Sequence, residues 1–282
     1  MRFTKMHGCG NDYIVIGGFE QQGPAEPGRF ARRACDRHRG IGADGLILLD
    51  PRDPATAAVA RMRIFNPDGT EAEMCGNGIR CAAKWLRDHG AVDSDAFGVQ
   101  TACGVVSVHV SREQAGETQV CVDMEAPVFD AKSIPTTLQG TPPVDVAVDV
   151  EGQSVRVTCL STGNPHCVVF VDSLDDQRVR RLGPALERHE AFPNRTNVEF
   201  VQALSRSELA VRVWERGVGE TLACGTGACA AAVASVLTHR AGERVRIRMR
   251  GGTLHVDWSD RRAVFLTGPA VEVFEGIWLG SM

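Results

Sequence analysis

The sequence predicts an α+β protein of two pseudo-symmetric domains that arose by internal duplication, each a mixed, mostly antiparallel sheet or barrel around a central helix. Two observations predict this fold class. Many short segments alternate apolar and polar residues with a period of two, as strands do, whereas helical periodicity occurs in few places. The two halves of the chain also repeat the same residue spacings, which is typical of a duplicated unit.

The individual elements follow from these patterns. Strands are predicted over residues 13–16, 61–65, 105–110, 144–150, 167–171, 209–214, 253–258 and 271–278. Helices are predicted over 76–89 and 225–239, and a charged amphipathic helix over 173–189. Gly/Pro-rich stretches at 17–28 and 133–143 interrupt these elements. The second stretch lies near the midpoint, which predicts domains over 1–124 and 125–270 and leaves open whether 271–282 returns to the first.

Composition narrows the class of partner. The 282 residues carry a net charge of -4, which supplies no positive field for nucleic acid, and no apolar run reaches the roughly 20 residues that span a bilayer. The N-terminal residues lack a secretory pattern, so we expect a cytoplasmic protein whose ten cysteines are reduced. The cysteine spacings also lack the C-x2-C pairing of structural zinc sites. We therefore expect a small-molecule ligand, no nucleic acid, no membrane and no metal.

One pair of cysteines stands in the same register in both halves. Asn66 lies nine residues before Cys75, and Glu215 lies nine residues before Cys224. A Gly-x-Gly sequence and a predicted helix follow each cysteine. An isolated C-G-x-G would be as well explained by a small buried residue at a helix start. The repetition favours a matched functional pair.

These positions suit acid–base chemistry at sulfur. Each thiol would lie at a helix N-terminus, where unpaired amides and the helix dipole stabilise a thiolate, so we expect the thiol pKa to fall. The glycines would let a substrate carboxylate approach the amides. Inverting a stereocentre without a planar cofactor requires a base on one face of the carbon and an acid on the other. Cys75 and Cys224 in opposite protonation states would meet that requirement.

Two further side chains are candidates beside this pair. His166 could set the charge of a thiol by exchanging a proton, although an isolated histidine is more often structural. Glu215 could bind an α-ammonium group or tune a cysteine, whereas its counterpart Asn66 is neutral, so we expect an asymmetric substrate. No lysine lies in a phosphate-binding context and no dinucleotide fingerprint is present, so no cofactor is expected. The remaining cysteines are interpreted as structural: Cys9, Cys35, Cys81, Cys103, Cys121, Cys159, Cys167 and Cys229.

The sequence closely resembles the diaminopimelate epimerase family through eight motifs. The matching motifs are His7-Gly8-x-Gly10-Asn11-Asp12-Tyr13, Gly40-Ile41-Gly42-Ala43-Asp44-Gly45, Phe65-Asn66-x-Asp68-Gly69, Met74-Cys75-Gly76-Asn77-Gly78-x-Arg80, Gly163-Asn164-Pro165-His166, Arg195-Thr196-Asn197-Val198-Glu199-Phe200, Trp214-Glu215-Arg216-Gly217 and Ala223-Cys224-Gly225-Thr226-Gly227. They occur in order over nearly the whole chain.

The resemblance implies reversible conversion of LL-diaminopimelate to the meso form, with the active site in the cleft between the two domains. Cys75 and Cys224 would alternate as acid and base, and His166 and Glu215 would set their protonation. The implied substrate-binding residues are Asn11, Asn66, Gly76, Asn77, Asn164, Asn197, Glu215, Arg216, Gly225 and Thr226. A homodimer is also implied. Some family members carry glutamine where this chain has Gly45, so that side-chain contact is missing here.

Two alternatives remain open from the residues. A proline or hydroxyproline racemase would share the architecture, although those enzymes resemble Met-Cys-Gly-His where this chain has Asn77. A non-catalytic redox protein could instead use Cys75 and Cys224 as a switch disulfide. A pure sensor would exchange no α-proton of any amino acid, so solvent-deuterium exchange separates the classes.

Overall fold

A computed structural model describes residues 1–19, 21–72, 76–112 and 117–280. The chain divides into two compact units. The first unit comprises Met1–Asp123 and Thr267–Met282, and the second comprises Met124–Leu266. The mixed, mostly antiparallel fold class is confirmed by the strand pairings described below.

The first unit contains two helices and a sheet whose pairings run through most of its strands. Its elements are β1 (Arg2–Gly8), β2 (Asn11–Gly17), α1 (Pro27–Ala34), β3 (Gly45–Pro51), β4 (Ala60–Phe65), β5 (Glu71–Ala72), α2 (Gly76–Asp88), β6 (Ala96–Thr101), β7 (Gly104–Arg112), β8 (Thr118–Asp123) and, from the far end of the chain, β18 (Val271–Ile277). The pair β2 and β3 is parallel, as is the pair β4 and β6. Antiparallel pairs join β1 to β2 and β18, β3 to β4, β4 to β5, β6 to β7 and β7 to β8.

The second unit repeats this order of elements and pairings. Its elements are β9 (Val146–Val150), β10 (Gln153–Ser161), β11 (Pro165–Phe170), α3 (Asp176–Glu187), β12 (Asn197–Ser205), β13 (Glu208–Glu215), β14 (Gly219–Thr221), α4 (Gly225–Leu237), β15 (Arg244–Met249) and β16 (Gly252–Asp257). Strand β17 (Phe265–Pro269) leads the chain back to the first unit. The parallel pairs are β11 with β12 and β13 with β15, at the positions equivalent to those of the first unit. The duplicated topology is therefore visible strand by strand.

Each unit wraps its sheet around one central helix. Helix α2 packs against β1, β2, β3, β4, β7, β8 and β18, and helix α4 against β10, β11, β12, β13, β15 and β16. Eleven residues of α4 are buried, including alanines on every face, as expected for a helix with no solvent-facing side. Its alanines also favour the helical state intrinsically. This central position fixes the start of α4 against the strands that carry the candidate site.

The predicted strands and helices are found with small changes at their ends. The amphipathic helix predicted over 173–189 is α3, which starts after the N-cap Asp175, whose side chain accepts the backbone N–H of Arg178. Helix α1 was not predicted, because its first residue, Pro27, lies within the stretch interpreted as a Gly/Pro-rich connection. Proline is well tolerated in the first helical turn, where its missing N–H leaves no hydrogen bond unmade. Within the described part of the chain, no helix is both long and apolar enough to cross a membrane.

Candidate active site

The Cys224 thiol lies one residue before α4. Its backbone is extended, with φ of -131° and ψ of 120°, and its Sγ accepts the backbone N–H of Gly227 at 3.4 Å. The Thr226 hydroxyl lies 3.3 Å from the same sulfur. Cys224 is thus the N-cap of the helix, a position usually held by an oxygen-bearing side chain. The predicted position of this cysteine immediately before a helix is confirmed.

The Glu215 carboxyl lies beside this thiol, at the end of β13. Thr221 donates its hydroxyl to Glu215 Oε1 at 2.5 Å, and the Cys224 thiol also hydrogen-bonds to the carboxyl. Burial raises the pKa of Glu215, although these hydrogen bonds and the charge of His166 oppose the rise. A carboxyl group held close to a thiol can raise the thiol pKa and exchange protons with it.

Burial also raises the pKa of the Cys224 thiol well above its usual value, and the negative charge of Glu215 acts in the same direction. The hydrogen bond from Thr226 and the N–H of Gly227 oppose this rise but do not outweigh it. The expectation that the thiol pKa falls was therefore wrong for Cys224. The sulfur is the correct distance from the helix amide, but it has lost most of its contact with water.

His166 lies on β11 and is completely buried. Its Nδ1 lies 2.7 Å from Glu199 Oε1, and its Nε2 lies 2.7 Å from Asn164 Oδ1. Glu199 is also completely buried. It lies on β12, which runs parallel to β11. The imidazole is therefore held at both nitrogens between two adjacent segments of the second unit.

The amide of Asn197 connects the start of β11 to the turn after β13. Its Nδ2 donates to the Pro165 carbonyl at 2.9 Å, and its Oδ1 accepts the backbone N–H of Arg216 at the same distance. The Arg216 guanidinium is exposed, and its Nη1 lies 3.4 Å from the Asn194 carbonyl. An exposed planar guanidinium beside the buried site can bind a carboxylate through two parallel hydrogen bonds.

The start of α4 is also tied to the turn that precedes β11. Thr162 donates its hydroxyl to the carbonyl of Thr226 at 3.1 Å. The structure thus connects Asn164, His166, Asn197, Glu215 and Cys224 through short contacts within the second unit.

In the first unit, the start of α2 is held by a completely buried arginine, Arg80. Its Nη1 donates to the Gly76 carbonyl at 3.0 Å, and its Nη2 donates to Asn77 Oδ1 at 3.0 Å. Asn77 in turn donates from Nδ2 to Asn11 Oδ1 at 3.0 Å. Three predicted substrate-binding residues, Asn11, Gly76 and Asn77, are thereby connected.

One predicted substrate-binding residue, Asn66, stands apart from this arrangement. Asn66 is exposed directly after β4, where its side-chain amide donates to Thr70 Oγ1 at 3.0 Å. Cys75 lies outside the described residues, as do Glu73 and Met74. Helix α2 begins at the next residue, Gly76.

Gly45, where some family members carry glutamine, is the first residue of β3. A Cβ atom there would lie 3.1 Å from the Phe65 carbonyl oxygen and 3.4 Å from the Tyr13 ring. A side chain at this position would therefore need a small shift of its neighbours. The tight packing is consistent with glycine at this position.

Potential metal ligands come together at one place among the described residues. His89, Glu272 and Glu275 offer ligand atoms within 4.8 Å of one another. The imidazole Nε2 lies 3.0 Å from Glu275 Oε1, as in an ordinary surface ion pair. This group is at the end of α2 and on β18, and none of its members belongs to the candidate site.

The sequence model of one family, described as diaminopimelate epimerase, matches residues 3–129 and 158–273 of the chain. The chain belongs to the diaminopimelate epimerase family. It is therefore an isomerase of the epimerase class. Among its relatives, the diaminopimelate epimerase of Desulforudis audaxviator is 52% identical over 280 residues, which are 99% of each protein. That of Moorella thermoacetica is 48% identical over 277 residues, which are 98% of each protein.

Solved structures outside the diaminopimelate epimerase family share the fold. A probable proline racemase from Agrobacterium radiobacter K84 aligns with a TM-score of 0.69 at 17% identity, over 99% of this chain and 93% of that one. A phenazine biosynthesis protein of the PhzF family from Bacillus anthracis aligns with a TM-score of 0.68 at 17% identity, over 98% of each chain. These two likenesses extend to the fold alone.

Sequence reasoning did not single out Glu199 or Arg80, although both belong to motifs that carry the family resemblance. Each is an ionisable residue within an otherwise apolar or small-residue segment, Val198-Glu199-Phe200 and Gly78-Ile79-Arg80-Cys81. Charged side chains are rarely fully buried unless they have partners. An ionisable residue within a segment that is otherwise predicted to be buried could have indicated a functional role for both positions.

Proposed function

We propose that this chain interconverts LL-2,6-diaminopimelate and meso-diaminopimelate, using Cys75 and Cys224 as the two acid–base groups. The observation that carries the proposal is the arrangement at Cys224, where a thiol at a helix N-terminus meets the half-buried Glu215 carboxyl. Cys75 occupies the same register in the other half of the sequence. The named activity of the relatives, over essentially their full length, supplies the substrate.

In the proposed reaction, the thiolate of Cys75 takes the α-proton, and the C–H electron pair remains on the substrate carbon. The Cys224 thiol then donates its proton to the opposite face of that carbon and becomes a thiolate. The reverse reaction exchanges the two roles, so no external acid or base is consumed. The raised pKa of Cys224 supports its resting form as the thiol, that is, as the acid of this pair.

The substrate is proposed to bind through the residues implied by the resemblance. Amides at Gly76-Asn77 and Gly225-Thr226, near the two helix starts, suit carboxylate oxygens, because the first amides of a helix have no intrahelical acceptor. Arg216 suits the distal carboxylate, and Asn11, Asn66, Asn164 and Asn197 the remaining polar groups. His166 and Glu215 adjust the protonation of the cysteines.

The decisive experiment follows α-proton exchange by NMR in heavy water with purified protein and diaminopimelate. Cys75→Ala and Cys224→Ala should each lower the rate of inversion by a factor of ~10²–10⁴ or more, because each removes one of the two proton-transferring groups. Cys229→Ala, which alters a completely buried helix residue, is the matched control and should retain activity. Normal turnover by either single variant at Cys75 or Cys224 is incompatible with the mechanism.

The same assay with proline and hydroxyproline tests the alternative of a racemase with this fold. We expect exchange with diaminopimelate only. Faster exchange of proline would assign the chain to the other activity.

We also propose that the enzyme acts in the cytoplasm as a homodimer. Strand β18 presents exposed apolar side chains, Val273, Phe274 and Ile277 among them, which are costly to leave in water. Light scattering at several protein concentrations measures the mass. A monomer at all concentrations would contradict the dimer without affecting the proposed chemistry.

A further inference from the structure

The second unit contains a buried contact between a carboxyl group and an imidazole, and the proposed chemistry assigns a role to the imidazole only. Glu199 Oε1 lies 2.7 Å from His166 Nδ1, and neither side chain has any exposed surface. Glu199 Oε2 is buried without a hydrogen-bond partner among the described residues. A carboxylate with one unsatisfied oxygen is expensive to bury, because its lost hydration is only partly replaced. The fold nevertheless retains it beside the histidine.

The contact with Glu199 decides the orientation of the imidazole. An N–H at Nδ1 donates to the carboxylate, which fixes the proton on that nitrogen and the plane of the ring. Nε2 is then the nitrogen that points toward Asn164, at 2.7 Å from Oδ1. A histidine that exchanges protons on the Asn164 side therefore depends on Glu199 for its geometry.

The first turn of α4 is shaped around the same carboxylate. A Cβ atom at Gly227 would lie 2.9 Å from Glu199 Oε1 and 3.3 Å from the Cβ of Cys224. Contacts that close do not occur without a shift, so the glycine leaves the space that Glu199 occupies. The same Gly227 donates its N–H to Cys224 Sγ. The carboxylate and the thiol are thus adjacent to one residue of the helix.

Glu199 also contributes to the electrostatics at the thiol. The ionisable groups that face it are His166 and Cys167 from β11, Glu215 from β13 and Cys224 before α4. Burial raises the pKa of Glu199 itself, and the charge and hydrogen bond of His166 oppose that rise. When Glu199 is ionised, its charge acts in the same direction as burial and Glu215 in raising the pKa of Cys224, with a smaller effect than either. A second negative charge stabilises the neutral thiol over the thiolate.

The pair is present in one repeat only. In the second unit His166 pairs with Asn197 in the parallel ladder, and Glu199 follows two residues later. In the first unit the equivalent pairing joins Tyr13 to Gly45, which makes Ile47 the counterpart of Glu199. Ile47 is completely buried and apolar. The fold therefore accepts an uncharged residue at this position, and Glu199 is not a requirement of the architecture.

We propose that Glu199 is a positioning residue for the epimerisation, which orients His166 through Nδ1 and places a carboxyl group against the first turn of α4, next to Cys224. This inference rests on the proposed function. Glu199 thus joins His166 and Glu215 as an ionisable group that assists the cysteines. It acts through His166 and does not contact the reacting carbon.

Glu199→Gln tests the charge, because the side chain keeps its shape and an oxygen acceptor. We expect kcat to fall about tenfold to a hundredfold, at the lower end of acid–base effects, with KM nearly unchanged. Removing the negative charge lowers the thiol pKa of Cys224, so the high-pH limb of the kcat/KM profile should move to lower pH. Glu199→Asp keeps the charge and moves it, so it should lower kcat while leaving that limb in place.

The matched control is Glu208→Gln on β13, which removes a carboxylate that pairs with Arg246 and Arg248. It should leave kcat and the pH profile unchanged. A Glu199→Gln enzyme with wild-type kcat and wild-type pH profile would overturn the proposal. Should Glu199→Gln fail to fold, Gly227→Ala displaces the carboxylate without changing its charge, and full activity of that variant would overturn it equally.

A spectroscopic measurement separates this inference from the proposed function. Proton and ¹⁵N NMR of histidine-labelled protein should show a strongly downfield N–H resonance for His166, lost in His166→Asn and displaced in Glu199→Gln. Its absence in the unmodified protein contradicts the orientation of His166, whatever substrate the enzyme uses. Inactivity of the unmodified protein toward diaminopimelate, with the resonance present, contradicts only the proposed function and its kinetic consequences.

Discussion

Opposing influences meet at the sulfur of Cys224. The helix N-terminus and the Gly227 N–H favour the thiolate, whereas burial and the charge of Glu215 favour the thiol. Burial is the largest of these, and the pKa rises. A substrate carboxyl group or a bound ammonium would alter the same balance. The protonation of this cysteine is therefore set by several neighbouring groups rather than by its place on the helix alone.

Alkylation of Cys224 should report this balance. Glu215→Gln removes the neighbouring negative charge, which lowers the thiol pKa and increases the thiolate fraction at pH 7–8. We expect iodoacetamide to label Cys224 several-fold faster in the variant than in the unmodified protein, as one unit of pKa changes a small thiolate fraction about tenfold. Peptide mass spectrometry measures the rate.

Cys103 is exposed and serves as an internal standard in that experiment. It should be labelled equally in both proteins. Equal labelling of Cys224 as well would show that Glu215 does not influence the thiol.

The residue types of the candidate site could be predicted from the sequence, but their electrostatic environment could not. The repeat register identified Cys224 and Glu215, since spacing is a property of the sequence. The sign of the Cys224 pKa shift depends on the exclusion of water by α4 and its surrounding strands. Glu199 was missed for the same reason, because only the fold brings residue 199 to residue 166.

At the scale of elements, β1 and β2 are held by a cluster of charges next to Asn11. Lys5 Nζ lies 2.6 Å from Asp12 Oδ2 and also donates to the Gly42 carbonyl. Arg37 bridges Asp12 and Asp44, with distances of 2.7 Å and 2.6 Å. Burial alone would raise the pKa of Asp12, but hydrogen bonds from Arg37 and Lys5 lower it overall. The cluster ties the hairpin to the segment before β3.

Asp12→Asn should destabilise the first unit by about 2–3 kcal/mol at pH 7. The loss is substantial because Lys5 is left buried without its carboxylate. It is smaller than the ~3–5 kcal/mol lost on breaking a fully buried pair, because the other partner, Arg37, is half exposed. Ionised Asp12 contributes stability above the ordinary carboxyl pKa of about 3.9, and this is lost as pH falls through the lower folded value. The difference in the free energy of unfolding between the variant and the unmodified protein should therefore become smaller in acid.

Denaturant unfolding at a series of pH values measures this difference. Asp95→Asn, at an exposed ion pair with Arg87, is the control and should change the stability little. A loss at Asp12→Asn that persists unchanged in strong acid would contradict the electrostatic account.

Helix α1 shows how one element escaped prediction. It has eight residues, begins with Pro-Gly and carries three arginines, so it lacks a long apolar period. Its counterpart by topology is α3, which connects β11 to β12 as α1 connects β2 to β3. The repeat therefore also contains the signal for α1. The predicted helix between β11 and β12 implies an equivalent helix between β2 and β3.

At the scale of the whole chain, the first unit is discontinuous. Strand β18 pairs with β1, and the Met1 amino group and carbonyl both bond to the backbone of Trp278. The Trp278 ring packs edge-on against Phe30 of α1, with centroids 5.6 Å apart. Residues from both ends of the sequence thus complete one core.

Trp278→Ala should therefore destabilise the first unit by about 2 kcal/mol, less than the ~3–5 kcal/mol of a fully buried tryptophan because the side chain is half-buried. Hydrogen exchange should increase in α1 and β1 and stay unchanged in α3 and α4. Leu279→Ala, at a side chain that is 90% exposed, is the control. Faster exchange in α4 together with unchanged exchange in α1 would contradict the assignment of Trp278 to the core of the first unit.

The pairing of β18 with β1 also sets an order of events during protein synthesis. The second unit is one continuous segment, so all its strands have been synthesised before β18 is translated. Strand β1 can pair with β2 early, but it has to wait for β18 until the other unit has been synthesised. An apolar surface of the nascent first unit stays uncovered throughout that interval, which is the period when chaperones and misfolding compete for a growing chain.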